Sequence, residues 1–115
     1  MSRTEFDDEY RLRRHRQFVL ELEREIGQIN RTIVHEKMPE LTRERCLALA
    51  TSVARARSQY LGLALELGQA SQALHGDEQI LQLREARRRF EELREAFSAM
   101  ERAIECGYVD VELPG

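Results

Sequence analysis

The residues of this chain that could take part in acid–base chemistry are few and lie far apart in the sequence. His15 and Arg57 each interrupt an apolar stretch, and Glu91 and Glu95 follow in the last third of the chain. If helices bring them to one level, they could form a small acid–base or anion-binding pocket. They could equally form a buried polar layer that sets helix register, or Arg57 could extend to the surface. No nucleophile accompanies them, so an enzyme with a His15/Arg57 site is the least favoured function.

Two arginine-rich segments could bind phosphate groups or nucleic acid. They are Arg11–Arg16 and Arg87–Arg89. If the helices that carry them pack side by side, the segments form one basic belt. The contacts predicted for that belt are Arg13, Arg14, Arg16, Arg87 and Arg88. Glutamates interleave with these arginines, which is typical of a solvated helix face, and the net charge of −3 gives no overall attraction to nucleic acid. Nucleic-acid or phosphate binding is therefore the alternative hypothesis.

Metal and cofactor sites need ligands at set spacings, and this sequence lacks them. None of the three histidines has a glutamate three residues before it, so the ligand pair of di-iron helical bundles is missing. The sequence also contains no Gly-rich phosphate loop, no Cys-x-x-Cys pair and no nucleophile elbow. We therefore predict no cofactor and no metal.

Three long helices are expected to position all of these residues. Apolar residues recur every three or four positions, which predicts helices over residues 4–36, 39–74 and 77–106. Thr4 and Asp77 are the expected N-terminal caps, and Pro39 suits the first turn of helix two. Gly76 is expected to take positive φ in the second turn, and Gly107 to end helix three.

The apolar seams of these helices predict how they pack. Helix one carries Leu12, His15, Val19, Leu22, Ile26, Ile29 and Ile33, and helix three carries Leu83, Ala86, Phe90, Leu93, Phe97, Met100 and Ile104. The stretch 46–74 in helix two has an apolar arc of roughly 220°, which is wide enough to need neighbours on two sides. Short turns favour an all-α, antiparallel up-down-up bundle of three long helices over residues 1–107. In that bundle Tyr60 lies level with residue 91, and Leu22, Ile26, Leu63, Phe90 and Phe97 are buried.

The C-terminal tail and the two cysteines complete these expectations. Residues 108–115 alternate apolar and acidic side chains and are predicted to be extended. This tail could add a strand to a partner's sheet through its apolar residues Tyr108, Val109, Val111 and Leu113, or it could fold back on the bundle. Cys46 points into the apolar arc and Cys106 away from the helix-three seam, which predicts a buried thiol, an exposed thiol and no disulfide.

These patterns favour a non-enzymatic helical interaction protein, such as an adaptor, a chaperone-like protein or an assembly subunit. Hydrophobic residues make up 42% and charged residues 34% of the 115 residues, which is typical of a folded, charged helical domain. The expected partner is another protein or a second copy, with no membrane contact. The acidic N-terminus has no apolar core like that of a signal peptide, so a cytoplasmic location is expected.

Overall fold

The computed structural model describes residues 2–69 and 76–112, and three long α-helices account for most of them. Helix α1 spans Arg3–Lys37, α2 spans Arg43–Gln69 and α3 spans Asp77–Glu105. The structure thus confirms the all-α class and the three long helices that the periodicity predicts. The expected end of helix two near Leu74 and the turn residue His75 lie outside the described residues.

Local hydrogen bonds explain where the first two helices begin, and both starts differ from the sequence prediction. Ser2, not Thr4, caps α1: the Glu5 N–H donates to Ser2 Oγ (3.2 Å), and the Ser2 N–H donates back to the Glu5 carboxylate (3.3 Å). This reciprocal pair is a capping box. Helix α2 begins four residues later than predicted, because Thr42 Oγ1 accepts from the N–H of Arg45 (3.2 Å) and forms the cap.

Helix α3 has an extended residue before it and a glycine turn after it. Gly76, not Asp77, is the N-cap residue of α3. Its φ is −66° rather than positive, and its N–H donates to Gln79 Oε1 (3.1 Å). At the other end Gly107 has φ 73°, the Tyr108 N–H donates to the Ala103 carbonyl (2.9 Å), and the Gly107 N–H donates to the Ile104 carbonyl (3.0 Å). This is a Schellman motif, which confirms the predicted stop at Gly107.

Helices α2 and α3 pack together as an antiparallel pair. Tyr60 stacks on Phe90 with ring centroids 6.0 Å apart, one residue from the predicted level. The small side chains of Val53, Ala56 and Ala86 are buried between the two helices. The larger seam residues Leu63, Phe90 and Phe97 are only half-buried, because two helices enclose just one side of each other's apolar face.

Helix α1 does not join that pair. Among the described residues it packs against neither α2 nor α3, and none of its own residues is buried. Leu22 and Ile26 are 41% and 45% exposed, so the prediction that they are buried is wrong within a single chain. The radius of gyration is 23.7 Å, whereas a compact chain of this length has about 13 Å. The antiparallel order predicted for three helices is thus formed only by α2 and α3.

The connection between α1 and α2 is bonded to the C-terminal tail. The Leu41 N–H donates to the Asp110 carbonyl (2.8 Å), and the Glu112 N–H donates to the Leu41 carbonyl (3.1 Å). These bonds form an isolated parallel bridge between Leu41 and Val111. Leu41 and Val109 are 4% and 7% exposed, which makes this corner as well buried as the helix pair. The tail therefore folds back and occupies the corner between α1 and α2.

Candidate protein interface

An uncovered apolar face runs along most of α1, and we call it the α1 stripe. Its members are Leu12, Val19, Leu22, Ile26, Ile29 and Ile33, each between 41% and 58% exposed. Their spacing of three and four residues places them on one side of the helix over about 30 Å. His15 lies in the same row, and Phe18, which is also exposed, borders it. The periodicity correctly predicts that these residues share one apolar face, but no part of the described chain covers that face.

The tail contacts the opposite side of α1. Arg31 Nη2 lies 3.5 Å from Asp110 Oδ1, and His35 Nδ1 lies 3.8 Å from Asp110 Oδ2. At 3.6 residues per turn, Arg31 and His35 point about 150–170° away from the centre of the stripe. The corner therefore holds the polar back of α1 toward the tail, and the stripe faces away from it. Sequence periodicity could not show this, because Leu41 and Asp110 are far apart in the chain.

A second apolar face remains open on α2. Leu47, Leu61 and Leu65 are all more than half exposed, and they lie on the part of the α2 arc that α3 does not reach. The wide arc predicted a neighbour on each side, and only α3 is present among the described residues. On the same helix pair, Tyr60, Leu83 and Arg87 line a shallow groove.

The predicted buried polar layer is not formed. His15 is exposed on α1, which does not contact the other helices, and Arg57, Glu91 and Glu95 are exposed as well. Arg57 extends along the surface with its guanidinium carbon 5.2 Å from the centre of the Phe90 ring, a cation–π contact. No polar side chain is buried anywhere in residues 2–69 and 76–112. The layer fails because it required α1 to lie against α2 and α3.

The predicted basic belt is divided for the same reason. Arg13, Arg14 and Arg16 lie on α1, whereas Arg87 and Arg88 lie on α3, and these helices do not contact each other. Arg14 lies over the Tyr10 ring at 5.9 Å, and Arg87 Nε lies 3.9 Å from a Glu91 carboxylate oxygen. The two arginine segments therefore form separate, solvated helix faces within one chain.

Some of the tail residues proposed for strand addition already have contacts within the chain. Val109 is buried in the corner, and the backbone on either side of Val111 is already bonded to Leu41. Tyr108 is half-buried, and Leu113 lies outside the described residues. The tail's pairing partner in the structure is thus the α1–α2 connection.

The chemistry of the surface is otherwise sparse. Cys46 is half-buried and Cys106 is exposed, and neither forms a disulfide. Within the described ranges, no three His, Cys, Asp or Glu side chains come close enough together to hold a metal ion. None of the helices, as far as they are described, has a stretch long and apolar enough to cross a membrane.

No protein-family model matches this chain, and no curated protein or solved structure is significantly similar to it. The α1 stripe is an extensive apolar face that no part of the described chain covers.

Proposed function

We propose that this chain is a non-enzymatic helical interaction subunit, and that it binds protein through the α1 stripe. The observation that carries the proposal is that six large aliphatic residues share one face of a 35-residue helix and stay at least 41% exposed. Large contiguous apolar surfaces of this kind mark interaction sites in soluble proteins.

Burial of the stripe would supply a large part of the free energy that specific binding needs. Fully burying one Leu, Ile or Val side chain contributes about 1.5–3 kcal/mol. Because the six residues are about half exposed, covering them contributes on the order of 5–9 kcal/mol before association costs are subtracted. Affinities in the micromolar range require about 8 kcal/mol, so the stripe needs some help from flanking residues to bind at that level.

Helix α1 also has a structural need for a partner. Helical propensity alone gives marginal stability in water, and most helices are held by packing of an apolar face. Its capping box and the corner at Leu41 hold only its two ends. Binding to the stripe would therefore stabilise the middle of α1, as expected of an adaptor, a chaperone-like protein or an assembly subunit. The two unpaired cysteines favour a reducing compartment, such as the cytoplasm.

The test compares two forms of the full chain as baits in affinity capture from its native source. One is wild type, and the other carries Leu22→Asp and Ile26→Asp, which place charge in the middle of the stripe. Since α1 contacts neither α2 nor α3, the variant keeps a folded α2–α3 pair, which circular dichroism checks. We expect the variant to lose proteins, or further copies of the chain, that wild type captures.

A matched control carries Glu21→Gln and Arg24→Gln, two changes on the same stretch of α1 outside the stripe. This control should capture the same proteins as wild type. If wild type and the Asp variant capture identical sets, the stripe is not a docking face and the proposal is wrong.

A further inference from the structure

We infer that the occupant of the α1 stripe is the α1 stripe of a second copy, in an antiparallel two-helix coiled coil centred on Val19 and Leu22. This rests on the proposed function and adds the partner, the direction and the register. Three features of α1 support this pairing: the spacing of the stripe, the charges beside it and the side of the helix that the tail occupies.

The spacing is that of a coiled coil. With His15 included, the stripe alternates steps of three and four residues from Leu12 to Ile33, which is a heptad pattern with apolar first and fourth positions. In such a pair the residues just outside the seam lie against each other, and their charges decide direction and register. On α1 these flanking positions include Arg11, Arg16, Glu23 and Glu25.

A parallel pair is disfavoured by those charges. In a parallel pair, the residue just before a first heptad position faces the residue five positions later on the other helix. Arg11 would then face Arg16 of the second copy, and the symmetry of the pair would repeat this repulsion. His15 would also face His15 in the middle of the seam.

An antiparallel pair with Val19 opposite Leu22 has complementary charges. In an antiparallel pair, a flanking residue faces a residue at the same heptad position of the other helix. Arg16 therefore faces Glu23 of the second copy, and the symmetry of the pair forms this contact twice. The seam pairs are then Leu12 with Ile29, His15 with Ile26, and Val19 with Leu22, each also formed twice. Sliding one helix by a heptad keeps the seam apolar but places Glu23 against Glu23 and Glu25 against Glu25. Sliding the helix a heptad in the other direction places Arg16 against Arg16. The charges therefore favour the register with Val19 opposite Leu22 over both neighbouring antiparallel registers.

The rest of the chain is compatible with this pairing. Asp110 contacts Arg31 and His35 on the back of α1, so the tail and the α1–α2 corner do not obstruct the stripe. In the antiparallel pair the two α2–α3 units attach at opposite ends, about 50 Å apart along the coiled coil. The α1–α1 overlap spans nearly the whole helix.

The other apolar surface of a second copy is a poorer partner for the stripe. The open row of α2 runs from Leu47 to Leu65, and Thr51 and Ser58 interrupt it. Placing Leu22 beside Ala54 of that row also brings Arg16 within one turn of Arg57. Arg57 already lies over Phe90, together with Arg94 at 5.4 Å, so this surface is positively charged at that level. Arg16, which attracts Glu23 in the α1 pair, would be repelled by Arg57 on this surface.

Charge exchange in the full chain tests the pairing, with the dimer dissociation constant measured by sedimentation equilibrium. Arg16→Glu and Glu23→Arg each turn both attractive pairs into repulsive ones, so each should weaken the dimer about tenfold. The double variant R16E/E23R restores opposite charges and should return to within about threefold of wild type. Arg24→Glu, a charge reversal on the back of α1, is the matched control and should leave the constant unchanged.

Other arrangements give different results. A parallel pair would be tightened by Arg16→Glu, because the Arg11–Arg16 repulsion would be relieved. Pairing with α2 would also be tightened by Arg16→Glu, and the double variant would show no rescue. Either result overturns the inference, as does a wild-type chain that stays monomeric at tens of micromolar. In that last case affinity capture with the Leu22→Asp, Ile26→Asp variant still decides whether the stripe binds a different protein.

A distance measurement provides an independent check of direction. Spin labels are placed at Asp7→Cys in a background with Cys46→Ala and Cys106→Ser. The antiparallel register predicts labels about 40 Å apart, since residues 7 and 34 are opposite each other. A parallel pair would hold them within about 20 Å, because paired helix axes lie 8–10 Å apart, and that distance would also overturn the inference.

Discussion

At the scale of single residues, the two cysteines differ in exposure because of their places on the helices. Cys106 is the C-cap of α3 and is exposed, whereas Cys46 lies half-buried in the first turns of α2. Because a thiol must be reached by the reagent to react, we expect Cys106 to be labelled at least about tenfold faster in the native chain. Mass spectrometry of peptides after a short labelling pulse measures both rates. Equal rates would show that the N-terminal turns of α2 open freely.

Gly107 is the one described residue whose backbone has a positive φ, 73°. Alanine fits the space, since no neighbouring atom lies within 4 Å of where its Cβ would stand, but the left-handed conformation costs it about 1–2 kcal/mol. We therefore expect Gly107→Ala to lower the free energy of unfolding by about 1 kcal/mol, measured by urea denaturation. The matched control is Gly62→Ala in the interior of α2, where the same change removes a poor helix former and should raise stability by up to about 1 kcal/mol.

At the scale of elements, α1 and α3 carry similar seams but have different roles within one chain. Phe97 is half-buried against α2, so Phe97→Ala should lower the unfolding free energy by about 2–3 kcal/mol. Leu22 is 41% exposed on a helix that touches no other helix, so Leu22→Ala should cost less than about 1 kcal/mol in dilute solution. Urea unfolding at submicromolar concentration makes the comparison. Equal losses would mean that α1 packs inside the same chain.

The corner between α1, α2 and the tail depends on burial more than on charge. Arg31 and Asp110 are 63% and 58% exposed, so their ion pair contributes little. Val109 is buried, and the Leu41 amide is bonded to the backbone carbonyl of Asp110. We expect Val109→Asp to speed hydrogen exchange at the Leu41 amide by at least about tenfold, while Asp110→Asn leaves it within about threefold. The reverse order would mean that the ion pair holds the corner.

At the scale of the whole molecule, the position of α1 gives the chain an elongated shape, 75 × 47 × 21 Å. The Leu22→Asp, Ile26→Asp variant removes association through the stripe and lets the single chain be measured. Small-angle X-ray scattering of this variant should give a radius of gyration near 23.7 Å. A value close to the 13 Å or so of a compact chain would show that α1 folds back onto α2 and α3.

The helices and their apolar faces could be predicted from the sequence, because both depend on residues close together in the chain. A three-four alternation identified the stripe on α1 and the seam on α3, and Gly107 marked the end of α3. The α2–α3 alignment also followed from short-range information, since two long helices of similar length that are close together in the sequence are expected to run antiparallel. The starts of α1 and α2 were off by one and four residues, because Ser2 and Thr42 compete as caps with nearby residues of similar propensity, whereas α3 begins at Asp77 as predicted.

The exposure of the α1 face could not be predicted from the sequence and depends on long-range contacts. The direction of α1 is set at Leu41 by bonds to Asp110 and Glu112, about seventy residues later, and no local pattern encodes such a contact. Those bonds turn the polar back of α1 toward the tail, so a seam that periodicity alone assigns to the core becomes an exposed face. His15 and the arginine segments depend on the same corner. Without α1 against α3, they lie apart as solvated side chains, because the helix that would bring them together points elsewhere.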